Sequence, residues 1–180
     1  MLEALITSKT RIKLLLKFFL NSSNSAYLRS LAPELDESTN AIRQELNRFE
    51  AANLLVAVNK GNRKYYQANT KHPLFPEINS LLRKYVGLDQ IIENVVNKLG
   101  NLDSVYLVGQ LAHGADSKII DLWFVGDDID REYLLRLVEK AESLLERKVR
   151  YLIIKMEELP AFLKTKSQEG LLLLWKKGSF

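Results

Sequence analysis

Apolar residues recur at helical spacing through the first fifty positions, then alternate, then return to helical spacing before a second half that opens on alternating runs. From Lys9 to Asn21 the residues Ile12, Leu15, Leu16 and Phe19 fall on one side of a helix. Leu28, Leu31 and Leu35 do the same for a shorter one over Tyr27 to Leu35. Asp36 and Glu37 make the turn into a third helix, in which Ile42, Leu46 and Phe49 share one side while Asn40, Arg43, Gln44 and Asn47 share the other. Ser38 and Thr39 supply N-cap hydroxyls, and Asn53 suits the left-handed position that stops a helix. The period then drops to two. Leu54 to Asn59 reads as a strand, Lys60 and Gly61 as a turn, and Arg63 to Ala68 as the returning strand.

Two prolines in Thr70 to Pro76 mark the exit from this hairpin. Phe75, Ile78, Leu81, Leu82 and Tyr85 then form one helical stripe, Gly87 breaks it, and Leu88, Ile91, Ile92, Val95, Val96 and Leu99 form another. These faces are broad enough either to bridge two domains internally or to pair two copies of the chain. Strands follow around Ser104 to Val108 and Asp121 to Gly126, then a helix from about Asp130 to Glu146, a strand from Lys148 to Lys155 and a helix beginning near Glu157. The run from Gly170 to Trp175 is too short to cross a membrane and reads as a strand or helix end buried on the second domain. The pattern as a whole predicts an α+β chain of 180 residues in three parts: a domain over 1–72, linker helices over 73–100 and a second domain over 101–180.

Charge is divided unevenly between these parts. Through Val86 there are 13 Lys and Arg against 7 Asp and Glu, a net of +6, and from Gly87 onward 13 against 15, a net of −2. The basic excess lies on the half whose third helix carries a polar face, where it would neutralise nucleic-acid phosphates. Cysteine is absent, which excludes disulfides and thiolate metal sites, and His72 and His113 are too few for a histidine-based metal sensor. Charges at Glu3, Lys9, Arg11, Lys13 and Lys17 interrupt the apolar N-terminus, so it does not read as a secretory signal, and the expected location is the cytoplasm.

The side chains on the third helix are those that read base edges, since Arg forks onto guanine and Asn or Gln onto adenine. Arg43, Gln44 and Asn47 are the base-edge candidates, with Ser38, Thr39 and Asn40 at the helix N-terminus, and Arg48 farther along, placed to hold phosphate. Lys60, Asn62, Arg63 and Lys64 crowd the hairpin tip, where they would hold the flanking backbone. Three helices and a basic hairpin in this order, with the phrase NAIRQELNRFEAANLL over Asn40 to Leu55, resemble the winged helix-turn-helix domain of arsenic-repressor-like bacterial transcription regulators over residues 5 to 70. The resemblance implies binding to double-stranded DNA, and by two-fold symmetry a homodimer on half-sites about 34 Å apart.

SVYLVGQLAHG over Ser104 to Gly114, followed by DLWFVG over Asp121 to Gly126, is similar to the nucleotidyltransferase domain of the DNA polymerase beta superfamily over residues 89 to 165. That family holds two divalent ions with paired aspartates at alternate strand positions and a third carboxylate from a neighbouring strand. Here Asp121 stands alone: Ile119 occupies the alternate position, and the strand from Lys148 to Lys155 has no acidic residue. Gln110 replaces the family's serine and His113 its arginine, leaving Gly109, Gln110, His113 and Asp121 as a vestigial nucleotide pocket with no catalytic residue, metal ligand or cofactor assigned. The expectation is a non-enzymatic DNA-binding regulator whose second domain dimerises or senses a nucleotide or other small-molecule effector. The rival expectation is an active nucleotidyltransferase that uses its winged helix to hold a macromolecular partner. Trp123 reads as packing on its strand.

Overall fold

A computed structural model describes residues 2–96, 99–145, 147–165 and 170–178. They divide into two compact units, Met1–Tyr85 with Gly114–Asp116 and Val86–His113 with Ser117–Phe180.

In the first unit a short helix α1 (Leu2–Leu5) precedes α2 (Lys9–Leu15), which continues as one π-helical turn over Leu16–Leu20. Ser8 caps α2, its Oγ accepting from the Arg11 N–H at 3.2 Å. Strand β1 (Ser25–Tyr27), helix α3 (Leu28–Leu35), helix α4 (Thr39–Ala51), strands β2 (Leu55–Lys60) and β3 (Arg63–Ala68), and helix α5 (Phe75–Val86) follow. The core is aromatic at its centre: Phe19 meets Phe49 edge-on with ring centroids 6.4 Å apart, and Phe75 of α5 at 5.9 Å. Ile12, Leu15, Leu16, Leu31, Leu35, Ile42 and Leu46 are buried around them as the helical periodicity predicts. Leu14 and Phe18 are buried too, so α2 and its extension are enclosed on more sides than one stripe implies. Asn79 of α5 donates to the Phe19 carbonyl at 2.6 Å, one of the carbonyls at the π-helical end.

Two local expectations change. Tyr27 is not the start of a helix but the end of β1, which pairs antiparallel with β3 and widens the hairpin into a three-stranded sheet of order β1-β3-β2. The hairpin turn is Gly61–Asn62 rather than Lys60–Gly61: Lys60 pairs with Arg63 as the last rung, and Gly61 takes φ +59°. A two-residue hairpin loop with its positive φ at the first central position favours glycine there, which fixes the register one residue later than the sequence pattern implies.

In the second unit helix α6 (Leu88–Val96) leads into strand β4 (Gly100–Val108), the single turn α7 (Gly109–Ala112), strand β5 (Ile119–Ile129), helix α8 (Arg131–Leu145), strand β6 (Lys148–Ile154), helix α9 (Leu159–Lys164) and strand β7 (Leu171–Lys176). The four-stranded sheet has the order β6-β5-β4-β7, with β5 and β6 parallel and the other neighbours antiparallel. The parallel pair requires a crossover, which α8 supplies, capped by Asp130 through a 2.9 Å hydrogen bond from the Tyr133 N–H. β5 is buried on both faces from Leu122 to Gly126. Trp123 packs edge-on against Phe162 of α9 at 5.5 Å, as its strand context predicts. The C-terminal apolar run resolves as strand β7. Among the described residues no helix is long and apolar enough to cross a membrane.

Candidate nucleic-acid interface

Helix α4 is set by its ends. Ser38 Oγ accepts from the Ala41 N–H at 3.1 Å. At the other end Asn53, at φ +55°, donates its N–H to Glu50 O at 2.9 Å while the Leu54 N–H reaches Phe49 O at 2.9 Å. That pair of bonds is the left-handed stop in which asparagine is second only to glycine. Ile42, Leu46 and Phe49 are buried, whereas Ser38, Thr39, Asn40, Arg43, Gln44, Asn47 and Arg48 are all exposed. At 1.5 Å per residue the 13-residue helix is about 20 Å long, enough to lie along a major groove.

Between this exposed face and the hairpin lies a groove of about 680 Å³ lined by Tyr27, Leu28, Arg29, Arg43, Asn47, Asn62, Arg63, Lys64 and Tyr66. It brings Arg43 and Asn47 of α4 together with Asn62, Arg63 and Lys64 of the hairpin. Gln44 and the N-terminal Ser38, Thr39 and Asn40 lie outside its lining, as does Lys60. Arg29 and Tyr27 were not legible as site residues. Arg29 lies on α3, and Tyr27 reaches the groove through the pairing of β1 with β3. Arg29 and Arg43 have no carboxylate partner among the described residues.

Other basic residues are held by their neighbours. The Arg63 guanidinium lies 4.7 Å over the Tyr27 ring and the Lys60 ammonium 5.4 Å from the Tyr65 ring centre. Lys64 reaches Glu50 of α4 at 2.7 Å, and that hydrogen bond raises its pKa from the ordinary lysine value. Arg48, expected to hold phosphate, instead donates to Glu45 at 3.0 Å. Glu45 is buried beneath α4 and also accepts from Ser8 Oγ at 3.0 Å and Arg11 Nε at 2.9 Å. Burial works to raise its pKa, but the hydrogen bonds from Arg11 and Ser8 and the charges of Arg11 and Arg48 outweigh it and hold the carboxyl below its ordinary range. The N-terminal half of the interface is thus bolted to α2 by charge as well as by packing.

In the second unit Asp121 stands in register with Val108 of β4 and Arg150 of β6. Arg150 grips it with two hydrogen bonds, Nε to Oδ1 at 2.7 Å and Nη2 to Oδ2 at 3.0 Å. Asp121 in turn raises the guanidinium's pKa from its ordinary value. Gly109, at φ +72°, abuts the same carboxylate so closely that a Cβ there would lie 2.5 Å from Oδ2. Gly109 and the Asp121 carboxylate are therefore in close approach. A depression of about 170 Å³ remains beside it, lined by Val108, Asp121, Leu122, Trp123, Arg150, Tyr151 and Leu152. Gln110 and His113 are exposed and outside that lining. Among the described residues no three His, Asp or Glu side chains could hold a metal ion, and the donor set at Asp121 does not fit one, because a cationic side chain already occupies both of its oxygens.

No protein-family model matches the chain, and no curated protein matches it. Solved structures similar to it include a candidate nucleotidyltransferase from Sulfolobus solfataricus, 23% identical, with a TM-score of 0.39, covering 57% of this chain and 88% of that one. A toxin–antitoxin with AMP-PNP is 20% identical over 51% of this chain and 75% of its own, with a TM-score of 0.40. A tyrosine-to-alanine variant of the toxin–antitoxin MntA-HpeT is also 20% identical, over 51% and 74%, with a TM-score of 0.40.

Proposed function

We propose that the chain is a DNA-binding transcription regulator whose first unit is a winged helix. Helix α4 enters the major groove and the β2–β3 hairpin grips the adjoining backbone. The observation that carries this reading is the groove in which Arg29, Arg43, Arg63 and Lys64 converge between the exposed face of α4 and the hairpin, with Asn47 and Asn62 beside them. Arg43, Gln44 and Asn47 read bases. Arg29 and the hairpin cations hold phosphate. The second unit is a nucleotidyltransferase-like scaffold without the carboxylates for a metal pair, retained for self-association or for a nucleotide or small-molecule effector. Its support is Ile119 and Arg150 standing where acidic groups would be needed beside Asp121.

The test is selection of a preferred duplex from random sequence, followed by titration of that duplex and a scrambled one across a range of salt. Arg43→Ala is expected to cost about 1–3 kcal/mol of discrimination at one base position. Lys64→Ala should weaken both duplexes alike and flatten the salt dependence by about one unit of slope. Binding that no duplex and no salt change alters would remove the proposal. Magnesium-dependent transfer from a labelled triphosphate would remove its second half.

A further inference from the structure

The sheet of the first unit has a second face, of which the groove takes only Tyr27 and Arg63 at its border. Ala26, Leu55, Tyr66 and Ala68 point inward and are buried, so strand alternation sends Tyr27, Val56, Val58, Lys60, Arg63 and Tyr65 to the opposite side. Register aligns three of them in one row across the strands, because Tyr65 pairs with Tyr27 on one side and with Val58 on the other. The next row toward the tip is Lys60 opposite Arg63. The tyrosine rings lie 5.2 Å apart, and Val56 and Val58 are 43% and 55% exposed. The remaining positions on this face are Ser25 and Gln67, so no carboxylate stands on it.

We infer that this face is a binding surface for single-stranded nucleic acid, taking unpaired bases on its aromatic row and phosphates on Lys60 and Arg63. Each feature has a physical counterpart in such a ligand. Bases stack on aromatic rings and equally on guanidinium planes, so the Arg63 guanidinium lying over Tyr27 extends the platform rather than blocking it. The valines supply apolar area flat enough for a base edge or sugar. Both charges on the face are positive and lie at the hairpin tip, complementary to a polyanion. An apolar protein surface docked here would have to desolvate Lys60 and Arg63 without partners. The inference does not depend on duplex binding in the groove: Tyr27 and Arg63 border both surfaces, but Tyr65, Val56 and Val58 lie outside the groove lining.

The experiment is fluorescence anisotropy of the full chain with labelled oligothymidylate and with a labelled blunt duplex. Unaltered protein should bind the single strand. Tyr65→Ala should weaken that binding about ten-fold or more while changing duplex affinity less than about two-fold, and Tyr65→Phe should retain it. Val58→Asp, at an exposed position where the fold is not at risk, should weaken the single strand by charge repulsion. Failure of the unaltered protein to bind oligothymidylate would overturn the inference. Equal losses on both ligands with Tyr65→Ala would do the same. So would a dimer by size exclusion that Val58→Asp converts to monomer with single-strand binding intact, which would make the face a contact between copies. Binding of single strand without duplex would refute the preceding proposal and leave this one standing.

Discussion

Glu45 illustrates how much one side chain can decide beneath an otherwise polar face. On the helical wheel it falls between Gln44 and Leu46 and carries no signal of its own. In the fold it is buried and ties α4 to Ser8 and Arg11 of the first helical segment and to Arg48 on its own helix. Its pKa is lowered from 4.5 in the folded chain, so the stability it contributes is fully present above about pH 4.5 and is lost as pH falls through the depressed folded value. Glu45→Gln should therefore cost about 1–2 kcal/mol at pH 7, discounted because Arg11 is part-exposed and Arg48 exposed. The difference from unaltered protein should shrink toward pH 3. Urea midpoints at the two pH values check this, and a gap that stays constant with pH would assign the loss to packing instead. Glu37 adds to the same acid sensitivity: the hydrogen bond from Lys13 lowers its pKa, with a smaller contribution from Thr10, against the penalty of burial.

At the scale of elements, the stop of α4 sets where the hairpin begins and hence where its cations stand. Asn53 at φ +55° holds that stop. Asn53→Ala should destabilise the chain by about 1 kcal/mol, because a Cβ without a polar group to hydrogen-bond locally is disfavoured there, while Asn53→Gly should be neutral or stabilising. Thermal unfolding of the two variants checks the sign. This element was legible because helical period, cap and stop are all local, and the same holds for α5, the break at Gly87 and α6. Strand β1 was not legible: Ser25 to Tyr27 is too short to show alternation, and its existence depends on pairing with residues about 40 positions away. For the same reason the sequence pattern carries no signal for Tyr27 as a groove residue. In the second unit the absence of an acidic residue at Ile119 and on the strand at Lys148 could be read directly, but the Asp121–Arg150 clamp could not, because it follows from parallel register between β5 and β6. Turn composition alone places the turn one residue early, because the pairing of Lys60 with Arg63 decides it.

For the whole molecule, the uneven charge becomes a measurable count of reading heads. Three acidic residues of the first unit are engaged with its own cations: Glu34 with Lys17, Glu37 with Lys13, and Glu45 with Arg11. Arg29, Arg43, Arg63 and Lys64 line the groove that would face the proposed duplex, although Lys64 must share its charge with Glu50. Counterion release of about 0.9 per neutralised phosphate then gives a slope of log affinity on log salt near −4 for one protomer. A two-fold homodimer presents a second set to a half-site one helical turn away and should approach −8, with two chains per operator. Titrating one operator and one isolated half-site at several salt concentrations, with stoichiometry measured alongside, separates the cases. A slope near −4 on both, with one chain bound, would mean that a single head suffices and that the broad apolar faces of α5 and α6 serve packing within the chain. A doubled slope confined to the full operator would require the protomers to be joined before or during binding, and would direct the search for their contact to the second unit.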